Sequence, residues 1–447
     1  MKTAIFLFPA LSGHLNPTVK LAQFYKKKGY DIYYCGSRDM LRFTHKNEFN
    51  FYSIDSLPFA VGFDDIVHEN HEEKWLENLV DRYTDNLYNL RKKDIIRLVN
   101  ELNPDLIFLD EFNYSDFILL YPFLEKRRLV ILQTKFPMYY SQAVPPLNSF
   151  AFPNADAKKR WKTYFRKYKW RSFLNDLKFF GKSDLSILKQ KFKEQNIPKT
   201  FQINTQKVFK PTFENIEEWF LIPKELDFPE QQLLPWQRYI GPTVIADQKE
   251  NLEPIYLNFI QSKKTYKNSK LVYCSLGTVL KSHLKYRKVN IHSFFRSIID
   301  IASENPNLYF VIAVEKDIRS GLKTKSENII LLDYAPQMDI LNKADIFLTH
   351  AGPGSVFESI IQATPMLLFP LNNKWDQNGT AARMVYYGLG KKADLQDSKQ
   401  SIEQAILGLL NDSIYQQKVQ TFSKVLREKY SKESFLEDFF STELLVQ

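Results

Sequence analysis

The stretch that decides the fold is residues 334–379. It opens with Tyr334-Ala335-Pro336-Gln337 and passes through a short apolar segment into Thr349-His350-Ala351-Gly352-Pro353-Gly354-Ser355-Val356-Phe357-Glu358. It continues as Met366-Leu367-Leu368-Phe369-Pro370 and ends with Asp376-Gln377-Asn378-Gly379. The order is strand, Gly-rich turn, helix, strand, polar loop. A strand that ends in such a turn and opens a helix gathers unpaired backbone N–H groups and the positive end of the helix dipole at one point. That point attracts phosphate oxygens, so the spacing predicts a diphosphate site at Gly352, Gly354 and Ser355. His350, at the strand end, faces the same point and can donate a charge-assisted hydrogen bond to the diphosphate.

The same alternation runs outward in both directions. In the first half, residues 4–8 form an apolar run followed by a turn, 17–28 read as a helix, and 31–35 as a second strand. Residues 105–110 and 129–132 are further buried strands. In the second half the runs 271–275, 308–314, 329–332, 346–349 and 366–369 alternate with helical patterns. Uninterrupted Val, Ile, Leu and Phe runs between helices mark parallel sheets covered on both faces. The expected fold is α/β, two doubly wound Rossmann-like domains facing a cleft, with ligands beyond the carboxyl ends of the strands. The domain boundary falls near Leu234-Pro235-Trp236, giving an N-terminal domain over 1–242, an exposed polar linker over 243–268 and a C-terminal domain over 269–431.

Composition sets the outer bounds. A chain of 447 residues is too long for one ordinary domain, and 44% hydrophobic with 25% charged residues describes a globular protein. Two cysteines, Cys35 and Cys274, lie far apart and show no metal or disulfide spacing, which favours a reducing compartment. Residues 1–9 read as the first strand and not as a secretory core, and no run approaches the ~20 apolar residues of a membrane span. The expected location is cytoplasmic. The net charge of +10 suits an anionic small molecule. Without a basic tail, zinc-finger spacing or RNA-binding signature, nucleic acid is not the expected partner.

Two other segments carry chemistry. Ser12-Gly13-His14-Leu15-Asn16-Pro17 follows the first strand; Gly13 permits a tight turn, Asn16 can cap a helix and Pro17 suits its first position, so His14 is held at a strand end. The bland alternative is a polar turn residue. Lys158 to Arg171 holds eight basic residues and five aromatics in fourteen. Trp161, Tyr164, Phe165 and Tyr168 fall on one helical face. That face is either packed on the domain, rested on an anionic membrane as a peripheral contact at the inner face, or part of an acceptor lid or a protein contact.

Taken together, these motifs resemble the donor box of the UDP-dependent glycosyltransferases, an inverting family of two facing α/β domains (the GT-B fold). The aromatic-x-Pro-Gln start, His-x-Gly-x-x-Ser-x-x-Glu middle and Asp-Gln end all match. The Pro353-Gly354 pair stands where plant members have Trp-Asn, so the bacterial macrolide, flavonoid and carotenoid branches are the nearer comparison. The resemblance implies a hexose, glucose by the Asp376–Gln377 pair, moved from UDP to a hydroxyl of a small apolar acceptor. It implies His14 as the general base, through the Gly-His-x-Asn-Pro turn, and Asp110 as the residue that orients it. The residues themselves leave open that Asp110 caps the next helix or that Glu111 is the partner. In the donor site it implies Tyr334 and Ala335 at the base, Gln337 and Glu358 at the ribose, and Ser355 at phosphate. Ser275, Gly277 and Thr278 would line the diphosphate from the other side, and Asp376, Gln377 and Thr134 would touch the sugar. Read structurally instead, Ser355-x-x-Glu358 is a helix capping box. The family's last helix, residues 432–447 here, braces the N-terminal domain. Without an Asp-x-Asp pair, neither metal nor cofactor is expected. TDP in place of UDP, a nucleotide-sugar epimerase, and a non-catalytic nucleotide-sugar binder remain alternatives, and nothing in the sequence speaks to the oligomeric state.

Overall fold

The structure, a computed structural model, describes residues 2–60, 75–242, 244, 252–264, 268–277, 291–372, 374–430 and 434–443. Thr278 lies outside the described residues, as do residues 61–74. The chain divides into two compact units, Met1–Pro146 with Pro153–Thr243, and Leu147–Phe152 with Val244–Gln447.

The first unit is built on a seven-stranded sheet of β1 (Lys2–Leu7), β2 (Tyr30–Gly36), β3 (Asn50–Ser53), β4 (Leu106–Asp110), β5 (Arg128–Gln133), β8 (Glu218–Phe220) and β9 (Gln237–Tyr239). Between β5 and β8 lie the two strands of a separate small hairpin, β6 (Ile203–Asn204) and β7 (Thr212–Phe213). The sheet order is β3-β2-β1-β4-β5-β8-β9, with every pairing parallel. Alternation along the strands divides its two faces by side-chain type. Ile5, Leu7, Ile107, Leu109 and Ile131 join one aliphatic cluster with Ile95, Leu98 and Val99 of helix Asn86–Leu102. Phe6 points the other way, stacked on Tyr34 at 4.7 Å and against Phe108 at 4.6 Å, its register partners on β2 and β4. Each such side chain contributes roughly 1.5–3 kcal/mol on burial. Helix Asn86–Leu102 is also pinned by a buried ion pair: Arg91 donates to both oxygens of Asp116, at 2.9 and 2.5 Å, and to the carbonyl of Ser56 at 2.7 Å.

The second unit repeats the plan with β10 (Lys270–Ser275), β11 (Leu308–Ala313), β12 (Ile329–Leu332), β13 (Ile346–Thr349), β14 (Met366–Leu368) and β15 (Gly390–Lys392), in the order β12-β11-β10-β13-β14-β15 and again all parallel. Helix Ile291–Glu304 lays Phe294, Phe295, Ile298 and Ile301 on one face of it. In both sheets the strand order reverses once, between β1 and β4 and between β10 and β13. Those reversals are the topological switch points where ligands of such sheets bind.

Six of these strands have no counterpart among the apolar runs of the sequence: β3, β8, β9 and β15 in the sheets, and β6 and β7 of the hairpin. The stretch expected to be an exposed linker, 243–268, instead carries helix Pro254–Lys264, which buries Tyr256, Phe259 and Ile260; the Tyr256 hydroxyl also bonds the Asp339 carboxylate at 2.5 Å. Tyr256, Phe259 and Ile260 fall at i, i+3, i+4 on one helical face, whereas Ile255 and Leu257 are exposed, so the apolar pattern of this helix is not confined to one face. Residues 147–152 group with the second unit because Gly379 has no side chain: a Cβ there would overlap the carbonyl oxygen of Leu147. Phe152 packs near Tyr386 and Lys392 lies over Phe150. The last described helix, Ser434–Glu443, falls in the second unit as well. Among the described residues, no helix is long and apolar enough to cross a membrane.

Candidate functional site

At the switch point of the first unit, β1 runs into a short helix, Ser12–Leu15, and β4 ends at Asp110. The helix begins at Ser12 from an extended Leu11, and a 3-10 turn, Asn16–Thr18, follows it. Asn16 is therefore not the N-cap of a following helix but closes this short one, and Gly13 sits in ordinary helix without a positive φ. The turn expected there is one helical turn. It holds His14 92% buried, with Nδ1 2.8 Å from Oδ2 of a fully buried Asp110. The other oxygen of Asp110 accepts the backbone N–H of Phe112 at 2.8 Å. Asp110 thus caps the following turn and reaches His14 at the same time. Glu111 turns away to a buried ion pair with Lys135. Burial alone would raise the Glu111 pKa, but the charges of Lys135, His14 and Lys207 outweigh it and hold the carboxyl below its usual range. The Phe112 ring lies 4.6 Å from the His14 ring, with the Lys135 ammonium 4.4 Å from that same Phe112 ring. Thr134 is buried just past β5, beside Lys135.

The second unit's switch point assembles the other residues. Helix Pro353–Ile361 begins at an extended Gly352, with Pro353 in its first turn and no side chain capping it. The capping-box reading of Ser355 and Glu358 is thereby overturned: the cap position is Gly352, three residues before Ser355. The carboxylate of Glu358 instead accepts the Gln337 amide, whose NH2 also lies 3.3 Å from the Ser355 hydroxyl. Tyr273 of β10, 1% exposed, donates its hydroxyl to the Gln337 oxygen at 3.0 Å and fixes which way that amide points. This buried Tyr escaped the sequence reading because it looked like one more apolar strand residue.

His350 is held by glycines. A Cβ on Gly277 (φ 85°) would come within 2.7 Å of the His350 ring, and one on Gly352 closer still, whereas the space around Gly354 is open. Ser275 ends β10, half-buried, at the same rim. Tyr334 stands 57% exposed, with Ala335 half-buried beside it. Asp376 and Gln377 are buried at the start of helix Gln377–Tyr386, and the Gln377 oxygen accepts the N–H of Leu371 at 2.7 Å, tying down the loop after β14. Chemically, this rim offers unpaired helix N–H groups, an imidazole and hydroxyls to an anion, and a Gln–Glu pair to vicinal hydroxyls.

The basic aromatic helix runs from Ala157 to Lys178 in the first unit. Its Trp161–Tyr164–Phe165–Tyr168 face is turned inward: Trp161 is 1% exposed and donates its indole N–H to Val144 at 2.8 Å, and the Tyr164 hydroxyl accepts the N–H of Phe209. That face is packing, not a surface for lipid.

Two doubly wound units, each with polar residues gathered at its switch point, and one of them with an uncapped helix start there, define a protein of the two-Rossmann class. The model of the UDP-glucoronosyl and UDP-glucosyl transferase family matches residues 184–433, more than half of the chain, and the protein belongs to that family. The chain is 27% identical over 209 residues to the zeaxanthin glucosyltransferase of Pantoea ananas, a match covering 46% of this chain and 44% of that protein. It is 27% identical over 200 residues to an uncharacterized UDP-glucosyltransferase of Bacillus subtilis, YdhE, covering 44% and 46%. The matches thus span under half the length of these curated relatives. The solved structure of the glycotransferase of kitacinnamycin superimposes with a TM-score of 0.69 over 98% of both chains at 15% identity, which establishes the GT-B fold.

Proposed function

We propose that the protein is an inverting glycosyltransferase that moves a hexose, glucose in the first instance, from UDP to a hydroxyl of a small apolar acceptor. The observation that carries this reading is the buried His14–Asp110 pair at 2.8 Å. With Asp110 accepting the Nδ1 proton, the neutral imidazole presents the Nε2 lone pair as a base. The acceptor oxygen attacks the anomeric carbon while its proton passes to Nε2. The bond from that carbon to the UDP oxygen breaks, with inversion, and Asp110 stabilises the imidazolium so formed. Charge arriving on UDP is met by His350, by the N–H groups of Gly354 and Ser355 at the uncapped helix start, and by the Ser275–Gly277 turn, protein donors that serve in place of a metal. Gln337 and Glu358 take the ribose hydroxyls, Tyr334 offers a ring to uracil, and Asp376 with Gln377 and Thr134 reads the sugar. The family match supports a UDP-linked donor, and a relative named for glucosyl transfer supports glucose.

The test is a donor and acceptor screen by mass spectrometry. UDP-glucose and TDP-glucose are each offered pooled phenols, macrolides and hydroxylated isoprenoids, with His14→Ala alongside and EDTA in one arm. A product heavier by one hexose, lost in His14→Ala and insensitive to EDTA, is the expected result. Binding of nucleotide sugar with a product that retains the nucleotide would replace the reading with an epimerase. No binding of any nucleotide sugar would remove it.

A further inference from the structure

Helix Trp75–Thr84 of the first unit is inside out. Its polar Asn78 and Arg82 are buried, Arg82 paired with Asp184 at 2.7 Å, bonded to the carbonyl of Lys182 at 2.9 Å and laid over the Phe179 ring at 4.0 Å. Leu76, Val80 and Tyr83, spaced i, i+4, i+7, face solvent with Trp75, each between 45% and 62% exposed. Helix Ala157–Lys178, having buried its Trp161 face, holds out a second stripe at i, i+3, i+4, i+7: Trp170, Phe173, Leu174 and Leu177, between 45% and 60% exposed. Phe180, just past that helix, is 68% exposed at φ 47°, a backbone region that a bulky L residue occupies only at a cost, and its ring gains no burial in return. The two stripes adjoin, because the Tyr83 hydroxyl donates to the Phe180 carbonyl at 2.9 Å.

Large apolar side chains in adjoining stripes are uncommon on a monomer's surface and mark a contact face. The surrounding charge says with what. All nine Lys and Arg of helix Ala157–Lys178 are exposed. Arg166 lies on the same helical side as the apolar stripe, one turn before it, while Lys167 and Lys178 border it. The helix's one acid, Asp176, faces inward to the Ser186 hydroxyl at 3.0 Å. On helix Trp75–Thr84 the half-buried Asp81 accepts the N–H of Leu87, and Glu77 is the one acid exposed on that helix.

We infer that these two helices form a docking face for an anionic lipid bilayer, with Trp170, Phe173, Leu177 and Phe180 at headgroup depth and the cations over lipid phosphates. A second copy is disfavoured as occupant, since a two-fold contact through this face would bring Arg166, Lys167 and Lys178 of the two copies toward one another. The face contains neither His14 nor Asp110, and its test reads binding, not turnover.

The full chain is centrifuged with sucrose-loaded phosphatidylcholine vesicles, with or without about one third phosphatidylglycerol. The expected result is sedimentation with the anionic vesicles alone, weakened several-fold by ~0.5 M NaCl. F173D/L177D should lose vesicle binding by roughly tenfold or more, and K162E/R166E/K169E similarly, with circular dichroism and thermal midpoint unchanged. A wild-type chain left in the supernatant, or both variants sedimenting as wild type does, would overturn the inference. So would a concentration-dependent dimer in sedimentation velocity that F173D/L177D abolishes while vesicles bind nothing; the face would then be a self-association surface.

Discussion

Asp110→Asn is the most discriminating single change in this molecule. The substitution keeps size and shape, and the asparagine oxygen can still accept the Phe112 N–H that Asp110 accepts at 2.8 Å, so the cap survives. Two things change at His14. The amide carries no charge to stabilise the imidazolium: for unit charges 2.8 Å apart and an effective dielectric of ~20, that attraction is about 6 kcal/mol, or roughly four decades in rate. The amide NH2 can also donate to Nδ1, which would shift the proton to Nε2 and remove the lone pair that acts as base. An aspartate-to-asparagine change in a serine-protease triad lowers kcat by about 10⁴ for this tautomeric reason. Residual solvation discounts the Coulomb figure, so the expected loss is 10³–10⁴-fold in kcat, with donor affinity unchanged. The assay is single-turnover hexose transfer at saturating donor, beside the thermal midpoint and UDP affinity by calorimetry. Because the two residues act as one unit, H14A/D110N should be little worse than His14→Ala. A folded Asp110→Asn protein within tenfold of wild-type turnover would refute the reasoning, and His14 would then be a buried structural histidine.

The donor rim can be probed through its glycines. Gly352→Ala should displace the His350 ring and cut UDP affinity about tenfold or more by calorimetry, whereas Gly354→Ala, in open space inside a helix, should leave the thermal midpoint equal or slightly higher. Equal affinities in the two variants would show that His350 does not hold the diphosphate. Arg91→Ala strands the fully buried Asp116 and should cost about 3–5 kcal/mol, lowering the first thermal transition by roughly 10 °C; a shift below about 3 °C would mean that the pair is dispensable. The depressed pKa of Glu111 gives the folded state stability that is complete above the ordinary carboxylate pKa and lost as pH falls through the folded value. Glu111→Gln should therefore lower the thermal midpoint near pH 7 and flatten its decline toward about pH 3, and a slope identical to wild type would contradict the assignment.

What was legible in the sequence follows what each signal depends on. The central strands were readable because a strand buried on both faces must be apolar throughout, as residues 106–109 and 346–348 are. The edges were not: Gln237-Arg238-Tyr239 and Gly390-Lys391-Lys392 pair on one side only and carry no apolar run. Helix Pro254–Lys264 was lost because its three buried residues are diluted by Asn, Gln, Ser and Lys. In the site, residue identity at strand ends was visible, but partnership was not. Asp110 and Glu111 are adjacent and chemically alike, and only the three-dimensional course of the turn after β4 sends one to His14 and the other to Lys135. The basic aromatic helix shows the same limit from another side. Its two stripes, at 161–168 and 170–177, obey one spacing rule, and the pattern cannot say which of them the fold will bury.

The two switch points explain why the chemistry divides as it does. A parallel sheet whose strand order reverses leaves the carboxyl ends of its two central strands uncrossed by a connecting helix, so side chains leaving those ends can meet. In the first unit the strands are β1 and β4, and what meets there is an acid and an imidazole, two side chains joined by a hydrogen bond that can carry a proton. In the second they are β10 and β13, and what meets there is chiefly backbone, a left-handed Gly277 and an uncapped helix start, with one imidazole held against glycines; under the proposed function these act on an anion. Under the proposed function, one fold plan, used twice, supplies a base in one unit and a leaving-group site in the other. The difference rests on side chains in the first case and on their absence in the second. For that reason, conservative exchanges at His14 or Asp110 should abolish the chemical step, whereas in the second unit it is the addition of a single methyl group, at Gly277 or Gly352, that should do the greater damage.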